Sequence, residues 1–104
     1  MKRIHASIFE LKLLNSCTVK MRKAILTNSD SKLIKALREC VYNVLKGNVE
    51  IPNNVSEKLD KCKNLLRKFV YDKSNLKSKR KLLIEKGGFL RYILPLVIDL
   101  AHKN

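Results

Sequence analysis

Apolar residues recur every three to four positions through most of the chain, and this spacing predicts helices joined by short polar turns. Ile4, Ile8, Leu11 and Leu14 share one face of a first helix over residues 1–15, with Lys2, Arg3, Glu10 and Lys12 elsewhere on it. Residues 16–18 break the pattern, and Thr18 is placed to cap a second short helix over 19–26. Asn28, Ser29 and Asp30 stop that helix and start the next. Residues 31–46 carry the clearest helical stripe: Leu33, Ile34, Leu37, Cys40, Val41, Val44 and Leu45 face one way, and Lys32, Lys35, Arg38, Asn43 and Lys46 the other. Asp30 or Ser29 supplies its N-cap oxygen, and Gly47 stands where a helix ends in a left-handed residue. Pro52 forces Ile51 out of the helical region, so residues 48–55 form a loop.

Ser56 then caps a helix over 57–71, with Glu57 and Asp60 at its positive end. Leu59, Cys62, Leu66 and Phe69 form the inner face, and Lys58, Lys61, Lys63, Arg67 and Lys68 the outer one. Residues 72–74 are a tight turn, and Ser74 or Asn75 caps a further helix to Lys86, which is expected to fold back on its predecessor as an antiparallel hairpin. Gly87 and Gly88 end it as cap and hinge. Residues 89–100 are apolar except for Arg91, Pro95 and Asp99, with Pro95 either kinking or restarting a last helix. The fold class is therefore all-α: a small basic helical bundle of about four to five short helices with a C-terminal apolar segment. Its organisation is read as an N-terminal helical arm (1–28), a basic helical core domain (29–88) and an apolar tail (89–104).

Composition agrees with helices: there are only three Gly, two Pro and no Trp in 104 residues, and Leu and Lys dominate. Charge adds a new element. Lys and Arg number 23 against nine acidic residues, a net +14. Such a chain binds polyanions by releasing their condensed counterions. The charge is also concentrated: residues 57–91 hold twelve cations and four acids, and nine of the twelve are lysines. Lysines make point-charge contacts to phosphate, whereas base reading leans on bidentate Arg, Asn or Gln. The expectation is non-specific binding to nucleic acid, double-stranded DNA first, through Lys61, Lys63, Arg67, Lys68, Lys77, Lys79, Arg80 and Lys81. If about six phosphates are neutralised, the log–log salt slope is near −5. Tyr71 and Tyr92 are the aromatic side chains placed to stack on a base, or to edge the core.

Enzyme chemistry is not visible. His5 and His102 lie at opposite ends, the nine carboxylates are scattered, and Gly87-Gly88 lacks the rest of any nucleotide-binding loop. Cys17, Cys40 and Cys62 form neither a disulfide framework nor a zinc pattern, so no metal and no cofactor is expected, and buried thiols point to a reducing, intracellular compartment. No signal peptide and no apolar run of spanning length is present. The apolar tail, through Phe89, Leu90, Ile93, Leu94 and Val97, either folds back on the domain or contacts a membrane surface, a capsid or host protein, or a second copy of the chain.

The string LIKALRECVYNVLKGNVEI (residues 33–51), then a lysine-rich helix, then KSKRKLLIEKGGFL (residues 77–90), resembles a small basic protein of adintoviruses and related Maverick (Polinton) DNA elements. That family is similar in layout to the precursor of the adenoviral core protein X (mu). The resemblance spans residues 30–96. It implies a virion-associated and host-nuclear core protein that neutralises packaged DNA, and a viral protease site at Gly87 and Gly88.

Overall fold

The chain folds around one long helix. The computed structural model describes residues 1–103; Asn104, the last residue of the expected tail, lies outside them. The central helix, α4 (Ser31–Leu45), buries Leu33, Ile34, Ala36, Leu37, Cys40, Val41 and Val44. Both of its ends follow from local chemistry. Asp30 Oδ1 accepts the Leu33 N–H at 3.0 Å, leaving fewer orphan donors at the first turn. Gly47 adopts φ 75°, which lets the Asn48 N–H turn back to the Asn43 carbonyl at 2.9 Å.

The other helices are α1 (Lys2–Ala6), α2 (Ile8–Ser16), α3 (Val19–Thr27), α5 (Asn53–Lys61), α6 (Lys63–Tyr71), α7 (Leu76–Lys86) and α8 (Leu90–Lys103), with a 3-10 turn at Gly87–Phe89. Among the described residues there is no strand, and the all-α class holds. α1, α6, α7 and α8 lie against α4, α2 packs on α8, and α3 packs on α7. Ile4, Leu11, Leu26, Leu37, Leu66, Leu83 and Ile93 belong to one buried cluster, so arm, core and tail share a single core.

Two expected helices are each divided. Ser7 (φ −116°, ψ 20°) separates α1 from α2, and Cys62 (φ −114°, ψ 16°) separates α5 from α6. At each break one N–H turns to the carbonyl three residues back, Ser7 to Ile4 at 3.2 Å and Cys62 to Leu59 at 3.1 Å, and the next helix resumes with its usual bonds. The reason is tertiary. A straight helix over 2–16 cannot lay Ile4 on α4 and Leu11 and Leu14 on α8, so the axis changes direction between them. α5 also starts earlier than expected: the Pro52 carbonyl accepts the N–H groups of Val55 and Ser56, so Ser56 lies inside the helix and does not cap it.

The expected hairpin is replaced by a shared support. α6 and α7 both rest on α4, α7 rests also on α3, and the Lys79 side chain bonds α7 to the end of α6.

The C-terminal segment is a correction to the tail reading. Phe89, Leu90, Ile93, Leu94 and Val97 are at most 4% exposed, and Ile98 and Ala101 are buried as well. A stripe this apolar gains more by covering α2 and α4 than by facing water, at roughly 25 cal/mol per Å² removed from solvent, so these five residues are core and present no membrane or partner surface. Pro95 sits within α8 at an exposed position. Its missing N–H removes the helical donor to the Arg91 carbonyl, and both residues are exposed.

Candidate nucleic-acid interface

The eight cations proposed from the sequence fall into two groups. Lys61, Lys63, Arg67, Lys68, Lys77 and Lys81 are exposed. On α6, Arg67 and Lys68 lie on the arc away from Leu66, Phe69 and Val70, while Lys63 flanks that stripe in the first turn, beside Leu59 and Leu66. On α7, Lys77 and Lys81 are one helical turn apart on the face away from Leu83. Lys81 lies 4.0 Å from Glu85, with both side chains well exposed, a contact worth little in water. The other five make no ion pair with an acidic side chain among the described residues.

Lys79 and Arg80 are corrections: both serve the fold. Lys79 is buried. Its Nζ donates to the Phe69 carbonyl and, at 3.0 Å, to the Asp72 carbonyl, and lies 5.6 Å from the centroid of the Phe69 ring. Burial, then the nearby Arg38 charge, holds its ammonium below the ordinary lysine value, and Asp72 opposes the shift in part. Arg80 Nη2 donates to the Ser29 carbonyl at 2.8 Å and its Nε to Ser29 Oγ at 3.3 Å. Ser29 Oγ in turn donates to the Leu26 carbonyl at 2.7 Å. Arg80 thus ties α7 to the turn between α3 and α4.

Between α6 and α7 lies an open cleft of about 420 Å³. Lys68, Lys81 and Lys86 line it with Lys79, while Leu65 and Leu82 give it apolar walls and Asp72 and Glu85 are its acids. Tyr71, at the end of α6, is 52% exposed. Tyr92 differs: it is half-buried, and Lys58 Nζ and the Arg91 guanidinium sit 5.1 and 5.5 Å from its ring centroid. Cations rather than bases cover that ring.

Cations on the polar faces of α1 and α4 gather in a second depression. Lys2, Arg3, Lys32 and Lys35 line a groove of about 520 Å³. Sequence distance hides it, because its two walls lie some thirty residues apart.

Gly88 is exposed and Gly87 buried, and both stand in the 3-10 turn that joins α7 to α8. Proteases favour exposed, unstructured chain. The Gly88–Phe89 bond is helical and its Phe89 side is core, so cutting there requires α8 to detach first.

Among the described residues, no three His, Cys, Asp or Glu side chains gather as a metal site would, and no helix is long and apolar enough to cross a membrane. No protein-family model matches the chain, and neither a curated protein nor a solved structure shows significant similarity to it.

Proposed function

We propose that this protein is a non-enzymatic nucleic-acid-binding protein that neutralises phosphates without reading bases. The observation that carries the reading is the exposed set Lys61, Lys63, Arg67, Lys68 and Lys77, without an acidic side-chain partner among the described residues and joined by Lys81, on a chain of net +14. A lysine-dominated surface on a folded globule attracts and positions a phosphate backbone. The sequence resemblance of residues 33–51 and 77–90 supplies the setting: a DNA-associated core protein of a virus or virus-like mobile element, acting on double-stranded DNA in the virion and the host nucleus.

The experiment is fluorescence anisotropy of the full chain with a random duplex of about 20 base pairs, titrated with salt. With six exposed cations on this surface, a log–log slope near −5 is expected. Charge reversal at Lys68, Lys77 and Lys81 together is expected to weaken binding at least about tenfold near 0.1 M salt and to flatten the slope. Unchanged affinity in that variant sinks the proposal.

A second reading, docking to a capsid or host protein, is favoured by one feature. Phe9 is 83% exposed and Leu13 lies one turn further along α2, also exposed. These two, with the exposed Val19 and Met21 of α3, and not the buried tail, are apolar side chains open to such a partner.

A further inference from the structure

The α1–α4 groove plays no part in the reading above. Its four cations, Lys2, Arg3, Lys32 and Lys35, are all exposed. Further along α4 a second depression, about 330 Å³, shares Arg3 and Lys35 and adds Arg38. The acids at this face are already engaged: Asp30 caps α4 through Leu33 N–H at 3.0 Å, and Glu39 holds the N-terminal ammonium at 2.7 Å. Arg38 connects this face to the α6–α7 cleft. Its Nε donates to the Val70 carbonyl at 3.0 Å, next to the Phe69 carbonyl that takes Lys79 on the cleft lining.

We infer that the α1–α4 groove is a second seat for a nucleic-acid phosphate backbone, continuous through Arg38 with the α6–α7 surface, so that one polyanion lies across both. The inference rests on the proposed phosphate-binding function. Shape decides the class of partner. A depression with cations on both walls receives the ridge of a sugar–phosphate backbone, whereas a flat bilayer meets only its rims. Arg3 adds a guanidinium able to grip two phosphate oxygens at once, among lysines that act as point charges.

The test uses the full chain in two variant sets: Arg3→Gln/Lys32→Gln/Lys35→Gln in the groove, and a cleft set, Lys68→Gln/Lys77→Gln/Lys81→Gln, of which Lys68 and Lys81 line the cleft and Lys77 lies beside them on α7. All six positions are exposed, and matched thermal melts establish that each set still folds. Duplex binding is read by anisotropy across salt, and binding to vesicles rich in acidic headgroups is read alongside. Each set is expected to flatten the log–log salt slope by about two to three and to weaken duplex binding at least about tenfold near 0.1 M salt, with the two effects adding when combined. If the groove set binds duplex like the parent while the cleft set does not, the inference falls and the proposed function stands. If neither set changes duplex binding, both fall. If the groove set loses vesicle binding alone, the groove is a membrane seat and the inference is overturned.

Discussion

Two cations close the end of α6. Lys79 takes the Phe69 and Asp72 carbonyls and Arg38 takes that of Val70, three of the acceptors that a helix C-terminus leaves without partners. Positive charge there also opposes the negative end of the helix dipole. Hydrogen bonds from charged donors contribute about 1.5–3 kcal/mol, so Lys79→Gln is expected to lower stability by about that much in urea denaturation while leaving the salt slope of duplex binding untouched. A flattened slope in that variant, at full stability, contradicts the structural role. The basis for this was present in the sequence. Lys79 and Arg80 lie between Leu76 and Leu83 on the inward stripe of α7, while Lys77 and Lys81 share the outward one. Counting cations in the run 77–81 hid what the helical period separates.

Burial shifts Cys40 and Cys62 up and Lys79 down, and the two kinds of group act in opposite directions with pH. Cys40, 0% exposed, has its thiol pushed by burial from 9.0 to about 12. Above pH 9 the unfolded chain releases this proton and the folded chain keeps it, so stability falls as pH rises from 9 toward 12. Lys79 is held below 10.5; between its lowered value and 10.5 the unfolded chain binds more protons, and its contribution rises with pH. Cys40→Ala is therefore expected to lose stability less steeply than the parent between pH 9 and 12, as followed by urea midpoints at stepped pH. Parallel curves for the two proteins in that window contradict the assignment.

At the scale of elements, α8 is where burial decides the role. Its stripe of Leu90, Ile93, Leu94, Val97, Ile98 and Ala101 fits α2 and α4, and His5 Nε2 meets the Ala101 carbonyl at 3.3 Å, bringing α1 to the far end of α8. Leu94→Ala is expected to cost about 2–5 kcal/mol, and a chain ending at Gly88 is expected to lose its cooperative melt by circular dichroism. Retention of that melt places α8 outside the folding unit. The same feature bears on cleavage, since the Gly88 bond becomes accessible only as α8 leaves. Some element boundaries were legible for identifiable reasons: Thr18, Asp30 and Asn75 cap α3, α4 and α7 through their side chains, and Gly47 ends α4 in the conformation only glycine adopts at low cost. The breaks at Ser7 and Cys62 were not legible, because neither is Gly or Pro and the apolar period runs through both. They are imposed by the surfaces against which each half-helix packs, which no local pattern contains.

For the whole molecule the governing quantity is charge against size. The globule measures 32 × 28 × 26 Å and carries a net +14. At about 0.01 M salt the screening length, about 30 Å, is as long as the protein, and every cation repels every other; at about 0.1 M it is about 10 Å and only neighbours interact. Compaction brings these charges together, so screening stabilises the folded chain relative to the expanded one. The melting temperature of the free protein is therefore expected to rise as NaCl goes from about 0.01 to 0.1 M. A bound duplex screens the same charges more locally than salt does and adds its own linkage, about 2.7 kcal/mol at a hundredfold excess over Kd. Its effect fades as salt releases it. Melts with and without duplex should then approach one another as salt rises, the free protein from below and the complex from above. A free protein whose melting is indifferent to salt in this range contradicts the account of its stability as limited by its own charge.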